Sequence, residues 1–376
     1  MPKLPAVFAR GGTSKGLIFH RRDLPADRAA WDAIFLAAMG SPDPYGRQLD
    51  GLGGGVSSLS KVCIVGPATR SDADVDYTFA QVQIREAAIS YLGNCGNMSA
   101  AIGPFAVDEG LVPPPPDGDA LVRIHNTNTG KIIHARFGVR GGRSVTEGSL
   151  VIPGVAGQGA PVRLDFLDPG GAVTGCLLPG AGVAQPMNVP GLGLIDASLI
   201  DAANPVVFVD ASALGLRGDE SPERLDRDGV MMDRIEAIRR LGAVAMGIAT
   251  NAEAAAGNTT IPYLALVAPA MPCIDLAGNP VGADAMDMTL RVIASGQPHR
   301  AAPLTVSLCA AVATMLDGSI PRRMLRGAPP ATLRLATPSG VLQVDADVTR
   351  VGDVWHARRG SFFRTTRRLF EGFVHA

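Results

Sequence analysis

Ser57-Ser58-Leu59-Ser60-Lys61-Val62-Cys63-Ile64-Val65-Gly66-Pro67-Ala68 and Thr259-Thr260-Ile261-Pro262-Tyr263-Leu264-Ala265-Leu266-Val267-Ala268-Pro269-Ala270 are two spellings of one pattern. Each opens on two hydroxyls, continues as a short apolar run and closes on Pro-Ala, as a buried strand does. Further echoes keep the same order. Pro5–Arg10 and Leu17–Phe19 read as a hairpin around Gly11-Gly12, and Asn204–Val209 stands for it in the second half. Asp27–Met39 has helical periodicity, with Trp31, Ile34, Phe35 and Met39 on one face, and Asp233–Leu241 is its counterpart. The helix-like run Met98–Val107 stops at Glu109-Gly110, and Thr305–Met315 stops at Asp317-Gly318. Strands are also expected at Val75–Val82, Ala87–Tyr91, Leu121–Phe137 and around Val151. The pattern implies an internal duplication: two similar α+β halves, with a cleft between them as the default ligand site. The boundary is expected between Pro179 and Pro190, giving lobes 1–185 and 186–376, with the last segment able to pack back on the first lobe.

Composition narrows the function classes. Apolar residues are 47% of the 376-residue chain and charged residues 18%, enough to bury a sizeable core and too few charges for long disorder. A net charge of −1 with no basic stripe argues against nucleic acid and anionic membrane surfaces as partners. Met1-Pro2-Lys3-Leu4-Pro5 lacks the apolar core of a leader, and no run of about 18 apolar residues occurs, so no membrane segment is expected. The five cysteines (Cys63, Cys95, Cys176, Cys273, Cys309) show no CxxC spacing and fit reduced thiols in a cytoplasmic protein. The six histidines form no HxH or HxxxH pair, so no metal site is expected.

Several segments could carry chemistry. Gly93-Asn94-Cys95-Gly96-Asn97 places a thiol at the start of a helix-like run, where unpaired N–H groups and the helix dipole favour a thiolate or a bound carboxylate. Asn94, Gly96 and Asn97 are candidate binders there, and a buried structural cysteine is the competing reading. Gly51–Lys61 gathers glycines and the hydroxyls Ser57, Ser58 and Ser60 ahead of Lys61. A partly desolvated lysine favours the neutral amine and can act as a general base; a solvated surface lysine is the alternative. Arg10-Gly11-Gly12-Thr13-Ser14-Lys15-Gly16 is not a P-loop, because it lacks GxxxxGK[ST] and lies between strands. Its Arg10, Thr13, Ser14 and Lys15 would still suit a carboxylate. In the second half His299, Thr305 and Ser307 precede or open a helix, and Ser339 and Gly340 form a turn of small donors. Cys309 reads as core, and Cys63, Cys176 and Cys273 as structural. No GxGxxG follows a strand and no GxSxG elbow occurs, which disfavours a nicotinamide dehydrogenase and a serine hydrolase.

Taken together, Arg10–Gly16, Gly40-Ser41-Pro42-Asp43, Gln48-Leu49-Asp50-Gly51-Leu52-Gly53-Gly54, Ser57–Lys61, Asp74-Val75-Asp76-Tyr77 and Gly93–Asn97 resemble the PrpF family of isomerases. The resemblance continues through Gly175–Pro179, Val189-Pro190-Gly191 and Pro338-Ser339-Gly340. It implies a diaminopimelate-epimerase-like α+β fold, in which two pseudo-symmetric lobes each wrap a sheet around a central helix and the active site lies in the cleft. It also implies cofactor-free isomerisation of a small unsaturated tricarboxylate, with the lysine at Lys61 transferring the proton and the cysteine at Cys95 beside the substrate. The loop spelling favours 2-methylaconitate or aconitate cis–trans isomerisation. Oxalomesaconate tautomerisation and methylitaconate double-bond migration are the alternatives. A non-catalytic tricarboxylate-binding accessory protein is the competing class, and a homodimer is a candidate assembly. Two departures stand out: no thiol occupies Pro303–Thr305, where a two-cysteine racemase would carry one, and Tyr263 replaces the lysine many members have.

Overall fold

The computed structural model describes residues 3–376; Met1 and Pro2, where the stretch read for a leader begins, lie outside them. The chain forms two compact units, one running to Asp165 and taking back Phe363–Ala376, the other Phe166–Phe362. The stretch 179–190 therefore lies inside the second unit, immediately around its first long hairpin.

In unit 1, β1 (Lys3–Gly11) and β2 (Ser14–His20) form an antiparallel hairpin. β3 (Lys61–Pro67) runs parallel to β2, and β4 (Val75–Val82) antiparallel to β3. β5 (Asp117–Asn126) runs parallel to β4, and β6 (Lys131–Arg140) antiparallel to β5. Unit 2 repeats that succession. β7 (Gln185–Val189), β8 (Gly193–Ala202) and β9 (Asn204–Asp210) pair antiparallel in turn, and β10 (Tyr263–Pro269) lies parallel to β9. β11 (Met288–Ala294) is antiparallel to β10, β12 (Thr332–Thr337) parallel to β11, and β13 (Gly340–Val351) antiparallel to β12. β14 (Val354–Arg364) follows β13, and β15 (Thr366–His375) returns to pair antiparallel with β1. β15 thus holds in unit 1 the sheet position that β7 holds in unit 2. The duplication read from the sequence is a duplication of strand order and direction.

Each sheet has a helix on either face. α1 (Trp31–Met39) sets Trp31, Phe35 and Met39 against Leu17, Phe19, Val62, Ile64 and Ala80. α2 (Gly96–Asp108) is buried from Gly96 through Val107, so it has no solvent face, and the strands of unit 1 surround it. In unit 2, α3 (Gly229–Ala245) packs Ile235 and Ile238 on Val207, Val209, Leu264 and Leu266, while α4 (Leu304–Thr314) is buried along its whole length. Among the described residues no helix is long and apolar enough to cross a membrane.

Some expected elements are shorter or missing. The first helix begins at Trp31, because the Asp27 carboxylate accepts from Ala29 N at 3.0 Å and caps a single 3₁₀ turn, Arg28–Ala30. Only Ile89–Ser90 of the Ala87–Tyr91 run pairs as strand. Around Val151 there is no strand: Leu150 makes one isolated bridge to Gly159, and Val151 is exposed. The Pro153-Gly154 and Gly157 that follow cannot sustain a ladder.

A pair of clamps repeats with the fold. Asp74 N donates to Arg123 O at 2.7 Å, Arg123 N donates to the Asp74 carboxylate at 2.7 Å, and the guanidinium closes on that carboxylate at 2.6 Å. Asp287 and Arg334 make the same three bonds at 2.8, 2.7 and 2.7 Å. Burial pushes the Asp74 carboxyl up, but the Arg123 bonds outweigh it and hold the group below its ordinary value. Asp74→Ala is expected to cost about 1–2 kcal/mol in denaturant unfolding at neutral pH. A depressed carboxyl stabilises fully above its unfolded value of about 4 and ceases to do so as pH falls through its folded value. The gap between Asp74→Ala and the parent should therefore close on acidification below about pH 4.

Candidate active site

Side chains alternate across a strand, so β3 and β4 each send one set to α1 and the other to the opposite face. Val62, Ile64, Ala80 and Val82 belong to the α1 core. Lys61, Cys63, Phe79 and Gln81 take the other face, with Lys61 directly opposite Gln81 and Cys63 opposite Phe79. The Lys61 ammonium nitrogen is buried, donates to Gln81 Oε1 at 2.6 Å and lies 5.0 Å from the centre of the Phe79 ring. Among the described residues no carboxylate pairs with it, an unusual state for a buried lysine. Cys63 is fully buried and lies within electrostatic reach of both Lys61 and Cys95. Burial, then Cys95, pushes the Cys63 thiol well up, against weaker opposite effects of Tyr77 and Lys61. It is an inert thiol.

The loop before Lys61 is braced from behind. Gln48 is buried with φ +54, and its amide nitrogen donates to Ser41 Oγ and Ser60 Oγ, both at 2.8 Å. Its oxygen accepts from Gly55 N at 3.0 Å. Ser60 Oγ in turn donates to Val82 O at 3.0 Å. The Ser60 hydroxyl, a candidate binder, is thus engaged within the loop. Ser57 and Ser58 begin a short 3₁₀ turn and are only partly buried.

Cys95 is the N-cap of α2, with its sulfur accepting from Met98 N at 3.5 Å. The hairpin tip between β1 and β2 packs onto this helix start. A side chain at Gly11 would strike Asn97 O, and one at Gly12, whose φ is +51, would strike Asn97 Oδ1. That close approach accounts for both glycines. Asn97 Oδ1 accepts from Thr13 N and from Arg364 Nε, each at 3.3 Å. Asn94 Oδ1 accepts from Ser99 Oγ at 3.3 Å and Asn126 Nδ2 at 3.4 Å. Arg364 is buried at the end of β14, and burial pulls its pKa down to about 9. Arg10 turns its guanidinium onto the carbonyls of Gly12 and Thr365 at 2.9 Å, and burial, then Arg367, lowers it as well. Ser14 is buried, and Lys15 lies 5.8 Å from the Phe8 ring.

Unit 1 therefore gathers Lys61, Cys95, Asn97 and the hairpin tip. In unit 2, Thr305 Oγ1 accepts from Asn204 Nδ2 at 2.8 Å, and Ser307 Oγ donates to Pro303 O at 3.1 Å. His299 tilts against the Tyr263 ring at 6.2 Å, and Ser339 Oγ donates to Arg300 O at 2.6 Å next to Gly340, whose φ is +117. Cys309 is core. Gln81 and Arg364 carry no signal of their own in the sequence, and Gln48 enters there only as the first residue of the motif Gln48–Gly54. The alternation of Val75–Val82 could have placed Gln81 on the lysine face, but its register opposite Lys61 depends on the loop 68–74.

A family model described as PrpF protein matches residues 1–376. The chain is 38% identical to the 3-methylitaconate isomerase of Eubacterium barkeri, over 99% of this chain and 97% of that protein. It is 36% identical to the 2-methyl-aconitate isomerase of Cupriavidus necator, over 99% and 96%. A solved methylitaconate-delta-isomerase superposes with a TM-score of 0.79 at 37% identity, covering 99% of this chain and 95% of the other. A probable proline racemase from Agrobacterium radiobacter K84, 13% identical over 99% and 93%, shares the fold with a TM-score of 0.59. Full-length agreement of family model, relatives and fold makes this chain a member of the PrpF family of isomerases.

Proposed function

We propose that the protein moves an allylic proton on a small unsaturated polycarboxylate, with Lys61 as the general base. The observation that carries this reading is a buried lysine whose hydrogen-bond partner is a neutral amide rather than a carboxylate. Lys61 takes the proton from the carbon next to both the double bond and a carboxylate. The electron pair spreads into a dienolate whose charge rests on carboxylate oxygens, where preorganised donors lower the barrier. Arg364, the α2 N-terminus with Asn97, and the hairpin tip are the donors assigned to those oxygens. Returning the proton to the same carbon after bond rotation gives cis–trans isomerisation; returning it to the vinylogous carbon shifts the double bond. Neither outcome needs an oxidant or a second reactant. Cys95 holds a carboxylate or carries the proton on the far side.

The relatives divide over the substrate. A methylitaconate has two carboxylates and a 2-methylaconitate three. The loop Gly53–Ser58 and the run Asn97–Ala101 support an aconitate-type substrate, with the methylitaconate and oxalomesaconate reactions as the alternatives a panel must separate. The purified protein in D₂O is expected to convert 2-methylaconitate or aconitate and to place deuterium at the allylic carbon that gave up its proton, or at the vinylogous carbon if the double bond shifts, read by proton NMR alongside methylitaconate and oxalomesaconate. Lys61→Ala should lose about 10²- to 10⁴-fold in kcat with its thermal unfolding preserved; full turnover in that variant sinks the mechanism. Arg364→Met is expected to raise KM about ten- to a hundredfold, as loss of a charged hydrogen bond to a carboxylate does.

A further inference from the structure

Lys61 and Gln81 form a directly opposed pair across β3 and β4, and such residues share a face at close range. Gln81 is buried, and its amide nitrogen is committed to two main-chain carbonyls, Ser60 O at 2.9 Å and Ser57 O at 3.1 Å. Those acceptors decide which end of the amide meets the lysine. A flipped amide would set its oxygen against two carbonyls and its NH₂ against Nζ, leaving buried polar atoms opposed. Oε1 is therefore held toward Nζ.

The duplicated fold supplies an internal control. Extending the register Leu264↔Ile293 by one residue sets Tyr263 against Ala294, so unit 2 has neither amine nor amide at the corresponding place. The Asp74–Arg123 clamp, by contrast, has its twin in Asp287–Arg334. Architecture is repeated in both units; the lysine–amide pair occurs in one.

We propose that Gln81 is the positioning residue of the isomerase: by taking one N–H of Lys61 it aims the remaining lone pair of the amine at the substrate. This rests on Lys61 being the base. A neutral amine has two N–H bonds and one lone pair. With one N–H fixed on Oε1, the lone pair is restricted to the directions away from Gln81. The bond is also stronger to an ammonium than to an amine, so removing the acceptor disfavours the charged form.

The test compares Gln81→Met and Gln81→Glu with the parent and with Lys61→Ala. Gln81→Met removes the acceptor and is expected to lower kcat about 10- to 100-fold with KM within about threefold. The acid limb of its kcat/KM profile should move to lower pH. Gln81→Glu places a carboxylate beside the amine and should move that limb up by about one pH unit or more. A purely structural Gln81 would lower the unfolding temperature of Gln81→Met and leave its limb and kcat where the parent has them, which overturns the proposal; an unmoved limb in Gln81→Glu would mean that position 81 does not face the base, and overturns it too. Gln81→Met carries the decision, and Gln81→Glu checks that the amine behind the acid limb lies beside position 81. If neither folds, the Gln81 side-chain amide signal of the native enzyme decides, because it must titrate with the acid limb and a flat signal overturns the proposal. Turnover retained in Lys61→Ala would mean that the base has been misassigned. An inactive Lys61→Ala with an unmoved limb in the Gln81 variants refutes the positioning role alone.

Discussion

A helix without a polar side can exist in water only if something surrounds it. α2 and α4 are such helices, buried from first turn to last, and the strands packed around each are the answer to that requirement. Once the sheet wraps a helix, one end of that helix must come to the rim of the sheet. In unit 1 this end is Cys95–Asn97. The strands that surround it deliver Lys61, the hairpin tip and Arg364 to the same neighbourhood. The candidate site thus lies at the start of an enclosed apolar helix.

What distinguishes the two units is the chemistry written onto a shared frame. Strand order, strand direction and the aspartate–arginine clamps are common to both. At the helix start, unit 1 has Cys95 and unit 2 has Pro303. At the head of the inner strand, unit 1 has Lys61 and unit 2 Tyr263. A proline N-cap offers no side-chain acceptor, and a phenol carries a single O–H donor and no positive charge where the lysine carries an amine. A repeated frame thus carries different side chains in its two units.

Much of this could be read before any coordinates. The echo between Ser57–Ala68 and Thr259–Ala270 announced the duplication, because apolar strand patterns bounded by Pro-Ala are set by local residues. Lys61 and Cys95 stood out for the same reason, each being marked by its neighbours in sequence. Gln81 and Arg364 did not. Their placement comes from register across a seven-residue loop and from a strand that arrives more than 260 residues after Asn97, neither of which leaves a local trace. Val151 failed in the opposite way. Its β-branched spelling suggested a strand, but the surrounding glycines and proline gave it no partner. The Ser60 hydroxyl, beside the lysine in sequence, ties Gln48 to Val82, a pairing no local pattern reveals.

Unit 1 is discontinuous: residues 3–165 need Phe363–Ala376 to complete them. During synthesis the first 165 residues emerge with β1 lacking its neighbour, and they wait for the entire second unit to be translated. At about 5–20 residues per second that interval is on the order of ten seconds or more. The exposed edge of β1 carries Pro5, and Lys3 stands near its end, residues that discourage pairing with other chains in the meantime. Arg364 joins Asn97 only when the terminal strand docks. The candidate site of unit 1 is therefore completed last, by a segment more than 190 residues downstream of the rest of that unit.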